Sequence, residues 1–299
     1  KFCRESAKPI GIDSGLLEIK KSCEEQSFTA VELEGKLETK DETEAWITHV
    51  LSFIKADELK PLKIAVDAGN GMAGAIFPEL EPYVPFEVKE VYFEPDGTFP
   101  NHIANPLEPK NLVDLQEEMK KDQYAAGVAF DGDGDRAVLL DENGEALSGT
   151  IMSALLAEYF LNLNPGAAIL FNAICGKAAH DVVTKMGGVP IRTKVGHSFI
   201  KSDMRKHGAV FAGEHSGHYY FKDNYCADSG LIAAVIALYI LSNSGKSLSE
   251  LARPHRESYA QAPETNFEVS DKQAVLNKLK ETYSDKKFDE LDGLTVFVE

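Results

Sequence analysis

Short apolar segments typical of β-strands alternate with helical segments twice along this chain of 299 residues. Strands that alternate with helices predict α/β units, which limits the fold more than any other feature of the sequence. The predicted strands cover residues 63–67, 88–93, 126–130 and 137–140 in the first cycle, and 167–171, 189–193 and 209–212 in the second. The predicted helices cover residues 41–54, 111–122, 178–186, 198–206 and 231–241.

Each cycle spans about 100 residues, which is the usual size of one compact domain. We therefore place one domain at residues 42–146 and a second at residues 147–257. The flanking stretches, 1–41 and 258–299, are expected to be parts of further domains. Residues 231–241 are apolar on all sides, so we expect a helix packed inside the second domain, with Asp228 or Ser229 as its N-cap and Gly245 at its end.

Composition and charge exclude several classes of protein. Hydrophobic residues make up 43% of the chain and charged residues 26%, which excludes a disordered chain, a collagen-like repeat and a coiled-coil rod. With 31 basic and 48 acidic residues the formal net charge is −17, so a nucleic acid is not an expected partner. The longest apolar run is shorter than the roughly 20 residues that span a bilayer, so no membrane partner is expected either. Four cysteines without metal-type spacing predict thiols and a cytoplasmic location.

The sharpest local signal is the sequence Asp-Gly-Asp-Gly-Asp-Arg at residues 131–136, directly after a predicted strand. The glycines allow a tight turn in which Asp131, Asp133 and Asp135 converge, and three carboxylates favour a hard cation such as Mg²⁺ or Ca²⁺. A solvated acidic loop and a structural Ca²⁺ loop are the alternatives. An EF-hand is rejected because its sixth position, which requires glycine, holds Arg136. We favour a catalytic Mg²⁺ loop.

The second signal, Gly-Glu-His-Ser-Gly-His at residues 213–218, also follows a predicted strand, where ligands bind in open α/β sheets. Glu214 and Ser216 offer an acceptor and a hydroxyl suited to neighbouring sugar hydroxyls. His218 is suited to proton transfer near neutral pH. The alternative is a hairpin that carries polar residues on its surface.

Two further glycine-containing turns are candidate functional segments. Residues 193–198 place Lys194 and His197 beside a predicted helix start, which suits either an anion or a plain helix cap. The turn at residues 68–71 lacks the spacing of a dinucleotide-binding motif and is interpreted as structural.

These segments together resemble the α-D-phosphohexomutases. Residues 127–136 are similar to the metal-binding loop of that family and residues 213–218 to its sugar-specificity loop. The stretches 64–74, 99–109 and 193–201 resemble further family segments in the same order, so the likeness covers essentially the whole chain. Within the family, the form of the sugar loop is most similar to the phosphomannomutase/phosphoglucomutase enzymes.

The resemblance implies a fold of α/β domains with mixed and parallel sheets around one cleft. It also implies an isomerase that interconverts the 1- and 6-phosphates of mannose or glucose through a phosphoserine and a hexose 1,6-bisphosphate. Asp131, Asp133 and Asp135 would bind Mg²⁺, and Arg136 would steady the transferring phosphoryl group. The implied substrate-binding residues are Glu214, Ser216, His197 and Lys194, and the implied proton-transfer residues are His218 and Lys1.

The chain departs from the family pattern in three places. The loop with the phosphorylated serine does not occur in it, and Lys1 resembles a position just after that loop. The phosphate-binding segment of the fourth domain does not occur either. Ile174 stands where relatives often have lysine, a loss that Lys177 would offset. We therefore interpret 1–41 as the end of a first domain and 258–299 as the start of a fourth.

The chain alone is expected to be inactive, and to be a monomer or a weak dimer. The alternative function is a non-catalytic module that binds Mg²⁺ and a sugar phosphate.

Overall fold

A computed structural model of the chain describes residues 2–28, 35–260, 262, 265 and 267–298. The N-terminal part forms a small hairpin and one helix: β1 (Cys3–Arg4), β2 (Lys8–Pro9) and α1 (Leu16–Glu24). The next part contains α2 (Thr43–Leu51), β3 (Leu62–Asp67), α3 (Ala73–Leu80), β4 (Phe86–Val91), α4 (Val113–Met119), β5 (Ala126–Phe130) and β6 (Ala137–Leu140).

A second set of elements follows without a long linker. It contains α5 (Gly149–Leu163), β7 (Ala168–Asn172), α6 (Lys177–Lys185), β8 (Val189–Thr193), α7 (His197–His207), β9 (Phe211–Gly213), β10 (Tyr219–Phe221), β11 (Ala227–Asp228), α8 (Gly230–Ser244) and α9 (Leu248–Ser258). The C-terminal part contains α10 (Lys272–Thr282), β12 (Lys287–Asp289) and β13 (Thr295–Phe297).

Two mixed sheets organise the molecule, and they confirm the predicted α/β fold class. The first has the strand order β4-β3-β5-β6, with β3 parallel to both neighbours and β6 antiparallel to β5. The second has the order β11-β10-β9-β7-β8, with β7 parallel to β8 and β9 and with an antiparallel edge from β10 and β11. The carboxyl ends of the parallel strands carry the loops described below.

One apolar cluster continues from the first sheet into the second. Phe53, just after α2, packs edge-on against Phe221 of β10 with ring centroids 5.4 Å apart, and Phe160 of α5 stacks on Phe211 of β9 at 5.3 Å. The hydroxyl of Tyr159 also donates a hydrogen bond to the backbone oxygen of Phe53. The two sheets are therefore joined by buried apolar contacts as well as by the chain.

Helix α8 is buried along most of its length, as predicted. The Ser229 hydroxyl accepts a hydrogen bond from the Ile232 N–H and so caps the helix, and Gly245 ends it in the left-handed conformation (φ 68°). Over the described ranges, no single helix is long and apolar enough to cross a membrane, and α8 and α9 pass that test only as a pair bent by 105°.

Several predicted boundaries were wrong for local reasons. The helix predicted at 111–122 covers only Val113–Met119, because a 3₁₀ turn precedes it and the Asp122 carboxylate turns to accept from the Gln123 N–H. The strand predicted at 88–93 ends at Val91, since Tyr92 adopts a positive φ of 53°. Strand β13, near the C-terminus, pairs with β12.

Candidate functional site

The acidic loop, residues 131–136, joins β5 to the antiparallel strand β6. Gly134 adopts a φ of 73°, and its N–H donates to the Asp131 backbone oxygen at 3.2 Å, which closes a tight turn. Carboxylate oxygens of Asp131, Asp133 and Asp135 consequently lie within 4.8 Å of one another. Three converging oxygen ligands form a donor set that suits a hard divalent cation.

Arg136 is held in place by the first of these carboxylates. Its backbone N–H and its Nε donate to the two oxygens of Asp131 at 3.0 and 2.7 Å, and its Nη1 donates to Asn105 Oδ1 at 3.3 Å. Asp131 is buried, and that burial raises its pKa even though Arg136 acts in the opposite direction. The guanidinium is thus fixed at the edge of the loop.

The hairpin loop, residues 213–218, connects β9 to β10. Its turn is closed by the Glu214 N–H, which donates to the His218 backbone oxygen at 2.9 Å. The segment is a hairpin, as in the alternative interpretation. Its Glu214 side chain, however, is buried and does not lie on the surface. Tyr220 Oη donates to its Oε1 at 2.5 Å, and Asn172 Nδ2 donates to its Oε2 at 2.9 Å.

The two loops meet at His218. Its Nε2 lies 3.3 Å from Asp135 Oδ1, its Nδ1 lies 3.0 Å from Ser216 Oγ, and its backbone bridges to that of Arg136. Burial opposes the charged form of His218, but Asp135 and the other nearby carboxylates outweigh it and raise the pKa of the ring. The structure therefore brings seven predicted site residues to one place: Asp131, Asp133, Asp135, Arg136, Glu214, Ser216 and His218.

Helix α8 begins directly against the acidic loop. The Gly230 N–H donates to the Gly134 backbone oxygen at 3.1 Å. A Cβ at Gly230 would lie 2.7 Å from the backbone carbon and oxygen of Arg136 and 2.8 Å from the oxygen of Gly134. The turn at 68–71, interpreted as structural, supports the other side of the loop, since the Met72 N–H donates to the Gly132 oxygen at 3.0 Å.

Helix α5 begins in the same way against the hairpin loop. A Cβ at Gly149 would lie 2.2 Å from the backbone oxygen of His215. Thr150 Oγ1 lies 3.0 Å from His215 Nδ1 and accepts a hydrogen bond from the Gly176 N–H at 2.9 Å. Each loop is therefore supported by the first turn of a helix.

A buried ion pair that the sequence did not reveal lies behind the two loops. Lys201 Nζ of α7 is 2.8 Å from Asp228 Oδ1 of β11, and both side chains are more than nine-tenths buried. Asp228 forms a second group of possible metal ligands with Asp135 and His218. The only sequence signal was a lysine beside Ile200, on the face of α7 that is otherwise apolar.

The remaining predicted residues lie elsewhere. Lys194 lies in the turn between β8 and α7, and His197 is the first residue of α7. In that turn the Val195 N–H donates to Asp292 Oδ2 of the C-terminal part at 2.8 Å. Lys1 lies outside the described residues. Ile174 is about half exposed, and Lys177 Nζ donates to Asp181 and to Tyr259 Oη.

A histidine below the acidic loop should make stability depend on pH. His102 Nδ1 faces the Ile103 oxygen and its Nε2 faces Asp67 Oδ2, each at 3.0 Å, so both nitrogens donate only in the charged form. Burial acts against that charge, but these acceptors outweigh it and raise the pKa of His102. The stabilisation is therefore complete below about pH 6.5 and is lost as the pH rises through the folded-state value.

We expect His102→Gln to reduce the loss of unfolding free energy between pH 6 and pH 9, measured by urea denaturation. His207→Gln, at an exposed site at the end of α7, is the control and should keep the wild-type slope. Equal slopes in His102→Gln and the wild type would contradict the prediction.

Comparisons with known proteins match most of the chain. Residues 44–144 match the family model "Phosphoglucomutase/phosphomannomutase, alpha/beta/alpha domain II", and residues 148–259 match the model of domain III. The chain is 38% identical over 305 aligned positions to a phosphomannomutase from Vibrio cholerae, and 35% identical to a phosphomannomutase from Escherichia coli K12. Each alignment covers 99% of this chain, which spans 66% and 67% of the length of those relatives.

A solved structure is similar over most of the chain. It is the crystal structure of a phosphoglucomutase/phosphomannomutase family protein from Burkholderia thailandensis, with 31% identity and a TM-score of 0.83. The superposition covers 94% of this chain and 60% of that one.

Proposed function

Because this chain belongs to the phosphoglucomutase/phosphomannomutase family, we propose that the protein interconverts hexose 1-phosphate and hexose 6-phosphate. The sugar is mannose, glucose or both. The contact between the acidic loop and the hairpin loop, through Asp135 and His218, carries this proposal. It supports the proposal because three carboxylates suited to a cation lie beside groups suited to hydroxyl recognition, and a sugar phosphate needs both. The acidic loop belongs to the proposed domain at 42–146 and the hairpin loop to that at 147–257.

Mg²⁺ is the proposed metal. The chemistry of the donor set fits this ion, because the ligand atoms of Asp131, Asp133 and Asp135 are all carboxylate oxygens. Bound there, Mg²⁺ would neutralise charge on a phosphoryl group during transfer. Asp133 is the most exposed of the three and therefore the one that a ligand reaches most easily.

The side chains around the donor set have distinct proposed roles. Arg136, fixed by Asp131, steadies the phosphoryl group that is transferred. Glu214 accepts hydrogen bonds from sugar hydroxyls, Ser216 exchanges hydrogen bonds with them through its own hydroxyl, and His218 moves a proton. Lys194, His197 and Lys1 complete the site as substrate-binding and proton-transfer groups. The proposed route passes through a phosphoserine and a hexose 1,6-bisphosphate.

The metal site is tested by Asp133→Asn. Because Asp133 is exposed, the substitution should leave the fold intact and remove one anionic ligand. We expect the Mg²⁺ affinity of the chain to fall by at least about tenfold in calorimetry, the equivalent of roughly 1.4 kcal/mol. Asp57→Asn, an exposed aspartate in another part of the chain, is the control. Unchanged Mg²⁺ affinity in Asp133→Asn would contradict the assignment.

Turnover separates the mutase from the alternative, a module that binds Mg²⁺ and a sugar phosphate without chemistry. The 299-residue chain alone should bind hexose phosphate and show no turnover. A longer protein that also carries the loop with the phosphorylated serine should convert mannose 1-phosphate to mannose 6-phosphate and lose that activity in Asp133→Asn. Full activity in that variant would refute the mutase proposal.

A further inference from the structure

The Glu214 carboxylate is fixed by two neutral donors that no part of the proposed function uses. Only 3% of the residue is exposed. Tyr220 Oη donates to Oε1 at 2.5 Å, and Asn172 Nδ2 donates to Oε2 at 2.9 Å. Each carboxylate oxygen therefore has one protein donor and keeps a second acceptor position.

The two donors are themselves held rigidly by the second sheet. Tyr220 lies in β10 and Asn172 is the last residue of β7, with β9 between these strands. Both residues are almost completely buried, and the ammonium of Lys201 lies 5.7 Å from the centre of the Tyr220 ring. Neither side chain can change rotamer without displacing core atoms.

The Asn172 amide is oriented by its hydrogen bond to Glu214. Its Oδ1 is buried and has no hydrogen-bond partner among the residues that the structure describes, whereas its Nδ2 donates to Glu214. A buried acceptor without a donor is costly. The amide is thus arranged to serve the carboxylate rather than to satisfy its own oxygen.

We propose that Tyr220 and Asn172 are positioning residues that orient the Glu214 carboxylate toward the hydroxyls of the bound hexose. This inference rests on the proposed function, in which Glu214 contacts the sugar. Without the phenol hydroxyl, Oε1 is free to turn toward other donors such as His218 Nδ1, which lies 3.7 Å away. The Glu214 carboxylate would then adopt several orientations in the free protein. Ordering that carboxylate on binding would reduce the affinity for the sugar.

The test compares Tyr220→Phe with Tyr219→Phe. The two tyrosines are adjacent in β10, are equally buried and point to opposite faces of the sheet, so each substitution removes one buried hydroxyl. Calorimetry of the 299-residue chain would measure three affinities: for Mg²⁺, for inorganic phosphate, and for mannose 1-phosphate in the presence of Mg²⁺.

We expect Tyr220→Phe to weaken binding of mannose 1-phosphate about tenfold, the usual effect of one hydrogen bond to a charged group. Affinity for Mg²⁺ and for inorganic phosphate should stay within about twofold of wild type, because neither ligand depends on Glu214. Tyr219→Phe should change none of the three. A merely structural role for Tyr220 would weaken all three affinities together, and that result would overturn the inference.

Asn172→Asp provides a second variant of almost unchanged volume. It replaces the donor to Oε2 with a second carboxylate, so it should also weaken mannose 1-phosphate selectively. If the wild-type chain binds mannose 1-phosphate and both variants bind it as tightly as the wild type does, the inference is overturned and the proposed function stands. If the wild-type chain binds none, the proposed function fails and the inference fails with it.

Discussion

Gly230→Ala is expected to destabilise the chain by about 3 kcal/mol and to disrupt the acidic loop. The added Cβ would lie 2.7–2.8 Å from backbone atoms of Gly134 and Arg136, which cannot move aside as a flexible side chain can. Alanine in place of glycine would otherwise favour helix α8 by about 1 kcal/mol. The steric clash therefore has to outweigh a gain in helix propensity. A net loss of unfolding free energy in Gly230→Ala would show that it does.

Urea denaturation and Mg²⁺ titration would measure both effects of Gly230→Ala. Gly97→Ala is the matched control, because no atom lies within 4 Å of a Cβ placed there and its φ is ordinary. That variant should stay within about 0.5 kcal/mol of wild type. A Gly230→Ala chain with wild-type stability and wild-type Mg²⁺ affinity would show that α8 does not support the acidic loop.

Lys201→Met is expected to cost about 3–5 kcal/mol of unfolding free energy, although methionine has nearly the shape of the lysine stem. The substitution removes the ammonium that lies 2.8 Å from the Asp228 carboxylate. Asp228 then keeps a buried charge close to Asp135 without that counter-charge. Removing one partner of a buried ion pair lowers the unfolding free energy far more than removing both partners does.

The double variant Lys201→Met with Asp228→Asn should therefore recover most of the lost stability in urea denaturation. Lys206→Met, at an exposed position on the same helix, is the control and should change stability by less than about 0.5 kcal/mol. If the double variant is as unstable as Lys201→Met, the loss comes from packing and not from charge.

The sequence predicted the fold well where apolar runs and glycines coincide. Strands β5, β6 and β8 have the predicted bounds, because each is short and bounded by turn residues. The short strands β10 and β11 were not predicted. All three residues of β10 are buried, so no polar face marks it as a strand. Strand β11 has only two residues, Ala227 and Asp228, which is too short for a pattern.

The candidate site was predictable as two loops but not as one site. The residue types and glycine spacing of the acidic loop indicated a cation site, and those of the hairpin loop indicated hydroxyl recognition. Their contact through Asp135 and His218 depends on how the two sheets pack. Tyr220, Asn172 and Lys201 were missed for the same reason, since isolated polar residues in apolar strands and helices have no local signature.

Backbone hydrogen bonds limit how far the acidic loop can move from the segments packed against it. The Ala137 N–H, directly after the acidic loop, donates to the Gly217 oxygen of the hairpin loop, and the Gly230 N–H of α8 donates to the Gly134 oxygen. Main-chain bonds therefore hold the acidic loop against both the hairpin loop and α8. Moving the acidic loop away from these neighbours would break both bonds. The distance from the cation ligands to the Glu214 carboxylate is therefore a fixed length. If the protein has the proposed function, a hexose phosphorylated first at one end and then at the other would have to turn within that fixed length.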